Sequence, residues 1–286
     1  VDAPDDRHAS ERISMNAIQS TQNSRHSLVY GPVKSWRFGR SLGIDPIGEV
    51  SICSFNCVYC QLGQIQVHTT ERRIFVPTAQ IFEDLRSLSP DEKIDVVTLS
   101  GSGEPTLALN LDEILAIAKQ LTKLPTVVLT NSSLLGDRMV RDALQLADIV
   151  AVKLDAISSH QWQRINQPIG TMNLPDILAG IAQFRGEYTG HLAIQTMVLS
   201  SWTTEMLEDY IQLVQRLSPD EIQLNIPSRP RALVRQLDAR GNNAFESDCG
   251  DFRQINCISV DVLNALADAI YFATKIPVRC APIALS

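Results

Sequence analysis

Three cysteines, Cys53, Cys57 and Cys60, stand in the stretch Cys53-Ser-Phe-Asn-Cys57-Val-Tyr-Cys60, a CxxxCxxC spacing that closes one tight loop around a metal centre. No fourth thiolate is in reach in the sequence. A structural zinc site takes four ligands, and a simple electron-transfer iron–sulfur cluster is held by four cysteines. Three thiolates on a [4Fe–4S] cubane leave one iron open to a substrate or cofactor. Buried or zinc-binding cysteines are the plain alternative.

Further polar residues stand where strands end. In Ser100-Gly-Ser-Gly-Glu-Pro-Thr106, Gly101 and Gly103 allow a close backbone approach to a ligand, and Glu104 offers acceptors to an ammonium group. Asn131, in Thr130-Asn-Ser-Ser133, suits a ribose or a carboxylate, or equally a helix cap. Lys153 and Asp155 alternate in Ile149-Val-Ala-Val-Lys-Leu-Asp-Ala156, so both face the same side of a strand. Their partnership is the plain reading; a carboxylate contact by Lys153 is the sharper one, ahead of Schiff-base chemistry. Gln195, Thr196, Asn225 and Arg229 stand at later strand ends, where they line a pocket or shape a loop. The run Lys34-Ser-Trp-Arg-Phe-Gly-Arg40 interleaves aromatic and positive groups, as nucleotide or phosphate binding requires, although a solvated strand face is the favoured reading.

These residues need a scaffold that brings strand ends together. Strand-like segments at Val50–Ile52, Ile94–Leu99, Thr126–Leu129, Ile149–Leu154, Leu192–Val198 and Glu221–Leu224 alternate with helix-like stripes. The stripes run through Ile81, Leu85 and Leu88; Leu111 to Leu121; Ile177 to Phe184; and Leu207 to Val214, each a crossover helix with one apolar face. A last helix is expected from about Val260 to Ala273, before a short apolar run at Ile276–Val278. This order predicts an α/β fold of mostly parallel strands, which places functional residues at the carboxyl ends of the strands.

The chain has 286 residues, 44% hydrophobic, enough for one large core. Residues 1–28 read as a flexible N-terminal extension with Met15 a candidate natural start, 29–243 as the core domain, and 244–286 as a C-terminal helical extension packed on it. The expectation is a cytoplasmic protein. No apolar run approaches the roughly 20 residues that cross a bilayer, and the scattered Cys249, Cys257 and Cys280 do not form a secreted disulfide framework. They read as free apolar cysteines rather than ligands of a second cluster. A formal charge of −7 argues against a broadly basic nucleic-acid surface.

With these residues in view, the chain resembles the radical S-adenosylmethionine (SAM) superfamily, in which CxxxCxxC with an aromatic residue before its last cysteine, here Tyr59, binds a [4Fe–4S] cluster. Tyr30-Gly-Pro-Val-Lys-Ser, Arg40-Ser-Leu-Gly-Ile-Asp, Cys57-Val-Tyr-Cys-Gln-Leu-Gly63, Val152-Lys-Leu-Asp-Ala156 and Leu224-Asn-Ile-Pro-Ser-Arg-Pro230 narrow the resemblance to the group related to wyosine-tRNA synthases. It implies a partial (β/α)6 barrel with the cluster loop after the first strand. It implies reductive cleavage of SAM to a 5′-deoxyadenosyl radical, with a one-electron reductant such as flavodoxin or ferredoxin. Cys53, Cys57 and Cys60 become the metal ligands. Tyr59, Gly101, Gly103, Glu104, Asn131, Lys153, Asp155, Gln195 and Asn225 become the cofactor pocket, with Lys153 as the catalytic candidate. Glu104 takes the place of the acid that holds the SAM amino group, with Ser102 where the family has a first glycine. The synthases carry cysteines for a second cluster upstream of this motif, and this chain has none before Cys53. The substrate is left open, with RNA-base modification narrowly ahead of a small molecule. A non-catalytic iron–sulfur electron carrier or iron sensor is the alternative from another class.

Overall fold

The structure, a computed structural model, describes residues 27–88, 92–227, 230–234, 252–255 and 257–282. Expectations about the N-terminal extension before Ser27, about Arg229 and about Cys249 lie outside the described residues.

An eight-stranded sheet forms the scaffold. It comprises β1 (Val29–Ser35), β2 (Gly39–Ile44), β5 (Val96–Leu99), β6 (Thr126–Thr130), β7 (Ile149–Lys153), β8 (His191–Met197), β9 (Glu221–Asn225) and β12 (Val278–Cys280), in that spatial order. Every neighbouring pair is parallel except β1–β2, which is an antiparallel hairpin. Short pairs β3 (Ile52–Cys53) with β4 (Val67–His68), and β10 (Arg231–Ala232) with β11 (Phe252–Arg253), lie apart from it.

The central strands carry apolar runs because both faces of the sheet are covered. Val97, Leu99, Val127, Val128, Val150, Val152, Leu192, Ile194, Ile222 and Leu224 are all fully buried. Helices α1 (Thr78–Arg86), α2 (Leu111–Thr122), α3 (Arg138–Leu144), α4 (Ser159–Asn166), α5 (Leu174–Glu187), α6 (Thr204–Leu217) and α7 (Val260–Thr274) supply one cover. Side-chain caps fix the starts of α5, α6 and α7: Asn173 accepts from the amide of Asp176, Thr203 from that of Met206 and Ser259 from that of Val262. The stripe of α2, Leu111, Ile114, Leu115 and Ala118, is fully buried.

The sheet curls, and one side chain reaches between its two ends. Arg279 of β12 donates from Nη2 to the carbonyl of Trp36 (2.7 Å) and from Nη1 to that of Arg37 (3.1 Å), in the turn between β1 and β2. The result is the partial barrel expected from the sequence. One strand assignment is corrected: the first parallel strand is β2, whereas the Val50–Ile52 segment contributes only to β3, outside the main sheet. Helices α3 and α4 add to those expected from the sequence; at seven and eight residues they are too short for a sustained apolar stripe.

Candidate active site

Residues 54–60 leave the barrel as a loop that is stitched down by its backbone. Asn56 N donates to the carbonyl of Asn166 (3.0 Å), Val58 N to that of Ile165 (2.9 Å), and Ile169 N to that of Ser54 (3.0 Å), so the C-terminal end of α4 and the segment after it form the loop's outer wall. On the other side, β3 bridges Gly103: Ile52 N donates to Ser102 O and Glu104 N donates to Ile52 O, both at 3.0 Å. A Cβ on Gly103 would overlap the Ile52 carbonyl. The close approach foreseen for this glycine is thus made first by the strand that delivers Cys53. Gly101 adopts φ +146° against Asp45, a conformation that favours glycine.

One cavity of about 350 Å³ gathers the chemistry. Cys53, Cys57, Cys60 and Tyr59 enter it from the loop, Gly101, Gly103 and Glu104 from after β5, Asn131 from β6, Lys153 from β7, Gln195 from β8 and Asn225 from β9. All the residues selected for the metal and cofactor sites except Asp155 line this space, whereas Thr196 is buried behind it, bonded to Leu154 O and the Tyr210 hydroxyl. Asp155 lies beneath the wall, its side chain fully buried, and accepts from Asn166 Nδ2 (2.7 Å), Met197 N (2.8 Å) and the Tyr59 hydroxyl. Lys153 Nζ lies 3.5 Å from Asp155 Oδ1 and 4.9 Å from the Tyr59 ring centroid. The plain ion pair expected from the sequence is therefore present, while the Lys153 side chain still borders the cavity.

Glu104 is 2% exposed and heavily committed. Its Oε1 accepts from Thr106 N (3.1 Å), Thr106 Oγ1 (2.6 Å) and Thr130 Oγ1 (2.7 Å); its Oε2 accepts from Asn131 N (2.7 Å). Burial pushes its pKa up, opposed by these donors. Acceptor capacity remains on Oε2, where a cation in the cavity can use it.

The thiols pass a test of fit for an iron–sulfur cluster. Asn131 Nδ2 donates to Cys53 Sγ and Asn166 Nδ2 to Cys57 Sγ, each at 3.4 Å. A neutral thiol is a weak acceptor, whereas cluster-bound thiolates are tuned by such bonds. Burial raises the Cys53 pKa well above the ordinary thiol value and that of Cys57 to about 12, so the positive charge of a bound metal would be needed to make them thiolates. Among the described residues no three His, Cys, Asp or Glu side chains converge to hold a single ion. A cubane would ask less of the three cysteines, since each thiolate would take its own iron. Of the outlying cysteines, Cys257 is exposed and Cys280 partly buried, and neither lines the cavity.

Sequence reasoning missed Asn166, Tyr30 and the place of Arg37. Asn166 ends a helix with no strong stripe, so only the fold reveals that it reaches both Cys57 and Asp155. Tyr30 lines the cavity and pairs its hydroxyl with Ser100 Oγ at 3.0 Å. Arg37, read as part of a solvated face, lines the cavity as well. A larger groove of about 930 Å³ runs between α4, α6 and Arg253, but it contains no cysteine, so the chemistry sits in the smaller space.

Comparison with known proteins fits this geometry. Residues 50–214 match the Radical SAM superfamily. A UPF0026 protein of Synechocystis sp. is 52% identical over 263 residues, covering 91% of this chain and 98% of its own. A protein of Saccharolobus islandicus named probable GTP 3′,8-cyclase is 28% identical over 189 residues, covering 66% of this chain and 58% of that one. Streptococcus suis SuiB, solved bound to S-adenosylmethionine, superposes with a TM-score of 0.62 at 15% identity, covering 99% of this chain and 58% of that chain, a likeness of fold. These names do not extend the likeness to wyosine-tRNA synthases. A superfamily match over more than half of the chain, joined to a half-identical relative over nearly its whole length, makes this chain a member of the radical SAM superfamily and of the UPF0026 proteins.

Proposed function

We propose that Cys53, Cys57 and Cys60 hold a [4Fe–4S] cluster whose open iron receives SAM, and that the chain uses the pair to abstract hydrogen from a substrate in the same cavity. Superfamily membership makes the chain an enzyme and implies both cofactors. The observation that carries the residue assignment is the convergence of the cysteine loop and five successive strand ends on one cavity. When bound and reduced, the cluster and SAM together supply a 5′-deoxyadenosyl radical.

The chain's residues bind, orient and shield. Asn131 and Asn166 donate to the sulfurs of Cys53 and Cys57, stabilising their negative charge. Glu104 Oε2 would accept from the SAM ammonium, and Lys153 would meet a carboxylate. Tyr59 would contribute backbone or ring contacts near the adenine, while Gly101, Gly103, Asn131, Gln195 and Asn225 line the polar wall. Asp155 acts through Tyr59, Asn166 and Lys153 rather than on a ligand. The buried walls keep water from the reacting centre.

Enzymes of this superfamily need a one-electron reductant, for which flavodoxin or ferredoxin is proposed. The cytoplasm is the proposed location, because its reducing conditions suit free thiols and an iron–sulfur cluster. Residues 29–243 are proposed as the catalytic unit, to whose sheet the C-terminal segment adds β12, with α7 covering it. For the substrate, a small molecule now ranks ahead of an RNA base. A charge of −7 disfavours a long polyanion on the surface, and a relative is named for a nucleotide reaction.

Anaerobic reconstitution of the full chain tests this reading. Iron and sulfide in equal amounts, with an electron paramagnetic resonance signal that changes when SAM is added, support it. A colourless protein, or a cluster indifferent to SAM, overturns it.

A further inference from the structure

Arg37 borders the cavity, and among the described residues no carboxylate pairs with its charge, which meets only the face of the Trp36 ring. Among the described residues its side chain makes no ion pair or hydrogen bond, and its Nε is buried with no acceptor. Its backbone is clamped, since the carbonyls of Trp36 and Arg37 both accept from Arg279. The guanidinium lies 5.2 Å from the Trp36 ring centroid, with that of Arg279 5.7 Å from the same ring. Glu221, the acid of this corner, already accepts from Gln223 (2.6 Å) and pairs with Arg279 (3.4 Å). Burial first, then the like charge of Arg279, pulls the Arg37 pKa below the ordinary arginine value. A half-buried cation with open donors beside a second cation is costly until an anion arrives.

We propose that Arg37 binds an oxyanion of the substrate, a carboxylate or a phosphate, in the part of the cavity remote from the cysteine loop. Arginine's planar fork matches both groups. The backbone of Arg37 enters this cavity from the end of β2 opposite the Gly101–Glu104 loop. Ile44, at one end of β2, accepts from Ser100 N beside the Gly101–Glu104 loop, whereas Arg37 precedes the other end. A six-residue strand spans about 20 Å. This inference rests on the reading of the cavity as the SAM and substrate chamber.

The test uses reconstituted holoprotein, wild type and Arg37→Gln, titrated separately with inorganic phosphate, acetate and SAM by calorimetry. Saturable binding of phosphate or acetate that weakens at least tenfold in R37Q, with SAM affinity within twofold, supports the proposal. Preference for phosphate points to a phosphorylated substrate, and preference for acetate to a carboxylic acid. Equal anion binding by both proteins overturns it, as does failure of wild type to bind either anion. Loss of SAM affinity in R37Q also overturns it, by moving Arg37 to the SAM site. Wild type that binds no SAM defeats the underlying reading instead. Phenylglyoxal labelling of wild type, followed peptide by peptide, covers the case in which R37Q fails to fold. Slower modification of Arg37 in phosphate or acetate supports the subsite, and an unchanged rate contradicts it.

Discussion

The hydroxyl of Tyr59 donates to the carboxylate of Asp155, joining the cysteine loop to the end of β7 across 96 positions of sequence. Asn166 Nδ2 meets the same carboxylate at 2.7 Å and Cys57 Sγ at 3.4 Å, so one buried acid organises both sides of the loop. Tyr59→Phe removes a donor from a carboxylate that cannot turn to water. A loss of about 1–3 kcal/mol in stability is expected. Iron should also leave the reconstituted variant faster under chelator challenge. Melting curves and timed iron release check both outcomes.

Gly103 makes a sharper demand. Any side chain there meets the Ile52 carbonyl, while a Cβ on Gly136 meets nothing within 4 Å. Gly103→Ala should cost at least about 3 kcal/mol or prevent folding, whereas Gly136→Ala stays within about 0.5 kcal/mol of wild type. Denaturant titration of the pair measures the contrast. Equal stability would remove the account of how β3 is held.

Lys153 separates two chemistries. Its amine lies beside Asp155 and over the Tyr59 ring, which suits a charged contact with a carboxylate better than a free nucleophile. Lys153→Gln should weaken SAM or substrate binding about tenfold while iron content is retained, roughly the value of one charge-assisted bond. Borohydride treatment of wild type with carbonyl compounds should leave Lys153 unmodified by mass spectrometry. A trapped adduct would reverse the assignment.

Arg40 and Asp95 provide a pH test at the opposite end of the strands. Nη2 of Arg40 meets Oδ1 of Asp95 at 2.7 Å, its Nε meets Oδ2 at 3.1 Å, and its backbone amide donates to Oδ2 at 2.7 Å. The side-chain bonds, then the backbone bond, lower the Asp95 pKa from 3.8 to about 2. A depressed carboxylate pKa stabilises the fold above the unfolded value, and that contribution is lost as pH falls through the folded one. Wild type should therefore exceed Asp95→Asn in stability above pH 4, with the difference shrinking to nothing toward about pH 2. Melting curves across that range check it.

Much of the scaffold is legible in the sequence because buried parallel strands carry continuous apolar runs, as in Ile149–Val152, and long helices carry plain stripes, as in α2. The first barrel strand is not, because β2 is built from Gly39, Arg40, Ser41 and Gly43. Gly43 is open to the ring of Tyr30, a contact that periodicity cannot express. In the site, Cys53, Cys57, Cys60 and Glu104 stand out by type and spacing. Asn166 and Arg37 do not, since their roles arise from the docking of α4 on the cysteine loop and from the curl that brings β12 to the β1–β2 turn.

The most direct test of the central assignment is 5′-deoxyadenosine formation by anaerobically reconstituted, dithionite-reduced protein supplied with SAM, in wild type and in Cys57→Ala. The account predicts the product from wild type and none above background from the variant. Absence of product from wild type with an intact cluster and bound SAM would contradict it, as would equal yields from both proteins.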